Sequence, residues 1–151
     1  MTTIFKALTD AMVSALSGVA LAAPNIWPNR LRAIPAGRNH AIVVRLGQST
    51  GEELVLGFKD WVTDFKVECY ARGSAGEDPA AAVDPLLQDV FALLSGIDSG
   101  TLNAMGLLLD VGIGWDFDAE ETPMACAVLV VKVFHRSPAN SISAPEPVEN
   151  P

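Results

Sequence analysis

The sequence predicts an α+β protein, an α/β sandwich in which a mainly antiparallel sheet of four to five strands carries two helices on one face. Three observations predict it. Apolar residues recur at helical spacing in two separate stretches, residues 4–19 and 86–94. Each stretch is followed by two β-forming runs, so the order reads helix, strand, strand, helix, strand, strand. Consecutive strands joined by short loops pair as hairpins, and helices placed before them can cover a common face. A length of 151 residues fits one such domain with one hydrophobic core.

The elements follow in order. Thr2 or Thr3 can cap a helix starting near Ile4, whose stripe is Ile4, Leu8, Met12, Ala15, Leu16 and Val19, with Gly18 as a stop. Residues 24–39 hold Pro24, Pro28 and Pro35 and form an ordered excursion, since Ile26, Trp27 and Leu31 need packing partners. The first strand is His40 to Leu46, and Gln48 to Glu53 reads as a turn or hairpin loop. The second strand runs from Phe58 to Arg72. Trp61, Thr63, Phe65, Val67, Cys69 and Ala71 share one face, and Asp64, Lys66, Glu68 and Arg72 the other, with Val62 and Tyr70. That alternation marks a half-buried antiparallel strand.

Asp84 with Pro85 at the first position predicts the start of the second helix, with 78–82 as an extra leading turn. Leu86, Leu87, Val90, Phe91, Leu93 and Leu94 are its buried face, and Gly96 ends it. Residues 97–106 connect to the third strand, which begins at Leu107. The fourth strand, 124–136, is apolar on both faces and belongs inside the sheet. Residues 1–136 therefore form the domain. Residues 137–151, with Pro138, Pro145, Pro147 and Pro151, form an extended Pro-rich tail with no core to join, free to lie on a neighbouring chain.

Composition narrows function. Apolar residues make up 50% of the chain and charged residues 19%, an ordinary globular balance. A net charge of −8 argues against nucleic acid as the main partner, because phosphate binding needs concentrated Lys and Arg. The charge is uneven. Between Asp10 and Glu52 there is no acid but there are Arg30, Arg32, Arg38 and Arg45, so this segment carries +4 and the remainder −12. Such a subunit can meet its neighbours with opposite charges. Cys69 and Cys126 lie in strand runs and read as buried free thiols, which fits a reducing, cytoplasmic compartment. Residues 11–23 have the look of a signal-peptide core, but Asp10 abuts them and they are too short to span a bilayer. The expectation is a chain with no cleaved leader and no membrane contact.

Several motifs bear on chemistry. Leu107 to Gly114 resembles the first motif of Rossmann-type methyltransferases that bind S-adenosylmethionine, through Asp110, Gly112 and Gly114. The fold needs a strand, a glycine turn and a helix. Here Asp116 stands at the place of a third glycine, and Pro123 and another strand follow, so the glycines read as a bend or a close backbone contact. The acids Asp116, Asp118, Glu120 and Glu121 lack the spacing of a calcium loop. His40 and His135 lack zinc spacing, and no nucleophile-elbow motif occurs. Trp27, Trp61 and Trp115 read as core or interface residues rather than a ligand pocket. The expectation is no enzyme, no cofactor and no metal.

The whole pattern resembles a known family. An amphipathic helix, an Arg- and Pro-bearing excursion, the strand Ala41 to Leu46, the loop Thr50 to Glu53 and the long strand Trp61 to Tyr70 come first. A helix, the strand end Gly114 to Asp118, an acidic turn and a final apolar strand complete it. This order resembles the tail terminator and tail-completion family of long-tailed bacteriophages, the relatives of the lambda-type minor tail protein U. The resemblance covers roughly residues 3–136 and lies in order rather than in one motif. It implies a virion protein, assembled in the host cytoplasm, that forms a ring, typically a hexamer, on the last ring of the tail tube. There it ends tube polymerisation and offers a docking surface to the head–tail connector protein. Another head–tail connector or completion ring is the neighbouring alternative. DNA would be passing cargo, and an acidic lumen would not hold it. Arg30, Arg32, Arg38 and Arg45 on one side, and Trp115, Asp116, Asp118, Glu120 and Glu121 on the other, are the expected subunit and tube contacts.

Overall fold

A computed structural model describes residues 2–31, 34–35, 37–74, 76–118 and 124–145, apart from the side chains of residues 110, 111 and 118. Helix α1 (Ile4–Leu16) begins at the N-cap Thr3, whose hydroxyl accepts from the Lys6 amide at 3.2 Å. Leu8, Met12 and Leu16 form its buried stripe, and Thr9, also buried, returns its hydroxyl to the Phe5 carbonyl. Strands β1 (Ile26–Pro28), β2 (His40–Val55), β3 (Phe58–Arg72), β4 (Gly106–Asp118) and β5 (Met124–Pro138) form one sheet. Helix α2 (Pro79–Gly96) and a 3₁₀ turn over Ser99–Leu102 lie between the two hairpins.

The strand order is β1-β2-β3-β5-β4. All neighbours are antiparallel except β1, which runs parallel to β2. Both helices lie on one face, α1 against β1 and β2, α2 against β3, β5 and β4. The expected fold class is therefore the observed one. Thr63, Phe65, Val67, Cys69 and Ala71 of β3 point under the helices with Ala125, Ala127, Leu129, Val131 and Val133 of β5. Together with Met12, Leu16, Leu86, Val90 and Leu94 they form one core. The fourth predicted strand, β5, is interior, as its two apolar faces require.

Four expectations need correction. Residues 48–53 are not a loop: β2 runs on to Val55, and the turn is Leu56-Gly57, with Gly57 at a positive φ of 86°. This half of the hairpin projects beyond the core, so both of its faces are wet and its composition looks loop-like. Helix α2 starts at Pro79, so the leading turn expected over 78–82 is helical and Pro85 lies inside the helix rather than at its first position. Asp78 caps it by accepting from the Ala80 amide at 3.0 Å, and Val83, ahead of Pro85, is fully buried. The apolar stripe thus begins a turn before Pro85, and three alanines carry the helix through. Leu31 does not pack; it is 96% exposed. The excursion instead contributes β1, with Ile26 buried.

The C-terminal stretch also departs from an extended tail. Strand β5 continues to Pro138, and Ser137 is buried. Beyond it, the Ile4 amide donates to Ile142 at 2.8 Å and the Ala144 amide to Thr2 at 2.8 Å, forming a bridge between Thr3 and Ser143. The domain's own N-terminus offers unpaired backbone groups there, and residues 142–144 satisfy them. The rest of the tail, 146–151, lies outside the described residues. No helix among the described residues is long and apolar enough to cross a membrane.

Candidate interaction surfaces

The face of the sheet away from the helices is laced by cross-strand ion pairs. Arg136 Nε lies 2.6 Å from Asp60, its direct partner on β3, and Lys132 lies 3.6 Å from its partner Asp64. The hydrogen bond from Arg136 holds the Asp60 carboxyl below its ordinary pKa. Arg45 Nε meets Glu68 at 2.5 Å, and the Tyr70 hydroxyl donates to the same carboxylate oxygen at 3.1 Å. Burial foremost, followed by the neighbouring Cys126 and Glu68, raises the Tyr70 pKa. Exposed pairs of this kind add little stability each. Their effect is to neutralise the charges of the open face within the subunit.

This placement separates the predicted contact residues. Arg45 is engaged with Glu68 in the middle of the open face. Arg30 lies at the β1 edge with its guanidinium 4.1 Å from the Trp27 ring centroid, and Arg38 is exposed in the same excursion. Arg72 ties the excursion down by donating to the Ile34 carbonyl at 2.9 Å. Trp115 and Asp116 are exposed on β4, at the other edge of the sheet. Trp115 is 50% exposed. Arg32, Glu120 and Glu121 lie outside the described residues, as does the Asp118 side chain. The structure thus sets Arg30 beside β1 at one edge, Arg38 in the excursion leading into β2, and Trp115 and Asp116 at the opposite edge.

The glycine motif behaves as a bend. The β4–β5 register shifts between Leu109 and Ile113, where β4 holds two more residues than β5. A Cβ at Gly112 or Gly114 would meet nothing within 4 Å, so neither marks a close backbone contact. An antiparallel strand, not a helix, follows.

Sequence reasoning missed one apolar surface and, of a second, found only Trp115. The first is the β2–β3 tip, where Leu54, Val55, Leu56 and Phe58 are all exposed, Leu56 at 92%. Four apolar residues flanking Gly57 inside a polar stretch were the available signal. The second joins Phe91 of α2 to Ile113, Trp115 and Phe117 of β4. By register with Leu129, Ala127 and Ala125, these three β4 residues lie on the helix-covered face; Ile113 packs on the core beside Phe91 of α2, and Trp115 and Phe117 are half exposed.

One buried polar cluster stands apart. Thr63 Oγ1 sits 2.7 Å from His135 Nε2 and 2.9 Å from Ser49 Oγ. Trp61 Nε1 donates to Ser137 Oγ at 3.0 Å, and Phe5 meets the Trp61 ring edge-on at 5.2 Å. Burial lowers the His135 pKa. The Thr63 hydroxyl is fully buried, out of a substrate's reach, so the cluster joins α1, the hairpin and β5. Burial also raises the thiols, Cys69 to about 12 and Cys126 to about 11, and both stay protonated at neutral pH. Among the described residues, no three His, Cys, Asp or Glu side chains come together as metal ligands.

No protein-family model matches this chain, and no curated protein sequence matches it.

Proposed function

We propose that this protein is a structural ring component of a phage tail, closing on itself as a homo-oligomer at the head-proximal end of the tail tube. It ends tube polymerisation there and presents a docking surface to the head–tail connector. The observation that carries the reading is the division of one small sheet into separate borders, with an apolar tip and two unlike edges among them. The apolar tip Leu54–Phe58 stands at one end of the strands. The β4–β5 end stands at the other, because β3 pairs its Phe58 end with Pro138 and its Arg72 end with Met124. The β1 and β4 edges form the two sides.

A subunit of a ring stacked between two other rings needs this plan: one surface for each axial neighbour and two unlike surfaces for its own copies. The apolar tip suits one axial neighbour, since a patch of this kind on a soluble domain marks a contact site. The order of elements, which resembles the tail terminator family, supports the same reading.

The test is tail length. Loss of the gene is expected to give tails of abnormal length under the electron microscope, and adding the purified protein to elongating tubes is expected to stop growth. Tails of normal length without it would overturn the proposal.

A further inference from the structure

We infer that copies of this chain join head to tail across the sheet, the acidic β4–α2 edge of one copy receiving the basic β1 edge of the next. This deepens the ring reading above and rests on it.

The receiving edge is apolar, open and acidic. Pro85, Leu87 and Phe91 of α2 and Ile113 of β4 border a shallow groove of about 550 Å³, with Asp84 on its rim. Trp115 and Phe117, each about half exposed, extend it along the strand. Among the described residues β4 pairs only with β5, so the outer backbone groups of β4 have no strand partner. An uncovered edge strand beside exposed aromatic rings is a surface that proteins normally cover. The chain around it is uniformly acidic. Asp84 and Asp89 of α2 and Asp116 of β4 are exposed, and the sequence from Gly73 to Val131 holds no Lys, Arg or His.

The entering edge is its complement. Leu31 is 96% exposed and lies in the excursion between Arg30 and Arg38. Arg30 and Arg38 are the described cations of this excursion, and residues 11–51 hold no acid, while Arg45 is taken up by Glu68 on the open face. The two edges stand at opposite sides of a five-stranded sheet, roughly 19 Å apart at the ~4.8 Å strand spacing, so they cannot meet within one copy. Pairing like edges would set acid against acid. Pairing unlike edges neutralises both, buries Leu31 against the aromatic strip and repeats from copy to copy.

Two variants test it. The first, Leu31→Asp with Arg38→Glu, blocks the basic edge; the second, Trp115→Ser with Asp84→Lys, blocks the acidic edge. All four positions are exposed, and circular dichroism checks the fold. In sedimentation velocity at low salt, the wild type is expected to assemble and each variant alone to stay monomeric. An equimolar mixture is expected to form a heterodimer and nothing larger, because only one productive pair of edges remains. Leu31→Asp alone is expected to weaken assembly by about tenfold or more.

Variants that assemble like the wild type, or a mixture that stays monomeric while the wild type assembles, would overturn the edge assignment. A wild type that is monomeric at every concentration would overturn it too. Tail length then judges the terminator role separately: a protein that still ends tails keeps that role without this interface.

Discussion

Two side chains of the β3–β5 pair show how position decides consequence. Phe65 is fully buried, with Leu46 and Val131 beside it in register. Phe65→Ala leaves a cavity that a close-packed sheet cannot collapse, and a loss of about 3–5 kcal/mol is expected. Urea unfolding checks it, through a lower midpoint at unchanged slope. His135 acts through its proton. Its folded pKa lies below the ordinary 6.5, so the unfolded chain binds the proton more readily. The contribution of neutral His135 is therefore fully present above pH 6.5 and is lost as pH falls through that value toward the folded pKa. His135→Gln keeps a hydrogen-bonding group for Thr63 and is expected to flatten that part of the stability–pH profile, read by thermal melts at several pH values.

At the scale of elements, the β2–β3 hairpin separates a half that holds the core from a half that leaves apolar residues exposed. Its core half is buried, and its projecting half is not. Leu56→Asp at the tip is expected to change unfolding free energy by no more than about 0.5 kcal/mol, yet, under the proposed tail role, to weaken co-sedimentation with tail tubes. The same split explains what the sequence made legible. The alternation from Trp61 to Ala71 revealed the strand, its buried face and its antiparallel setting, because water on one side and helices on the other select opposite residue types. The projecting half has water on both sides and lost that signal. Strand β1 was hidden for another reason: three residues ending in Pro28 carry no period, and only the parallel pairing of Ile26 with Ile42 defines them. For α2, both Asp78 and Asp84 precede a proline, and packing of Val83 decided between them. Of the expected contact residues, the sequence showed the charge imbalance but not that Arg45 would be engaged by Glu68, a pairing made 23 residues apart across two strands.

At the scale of the whole molecule, charge is sorted along the sheet from a basic edge at β1 to an acidic edge at β4. Mutual attraction between copies is then expected to fall as salt shortens the Debye length from about 10 Å at 0.1 M to about 3 Å at 1 M. Light scattering across that range checks it; assembly that strengthens with salt would point to apolar contact alone. The bridge between Thr3 and Ser143 has a different consequence. Residues 2–4 lie against residues 142–144, so the first and last described parts of the fold are neighbours, and the order in which its parts are synthesised is separable from the order in which they pack. A circular permutant opened at the exposed Gly76, with a short linker joining Ala144 to Thr2, would make α2 and the second hairpin first. It is expected to give the same circular dichroism spectrum and a single cooperative melt.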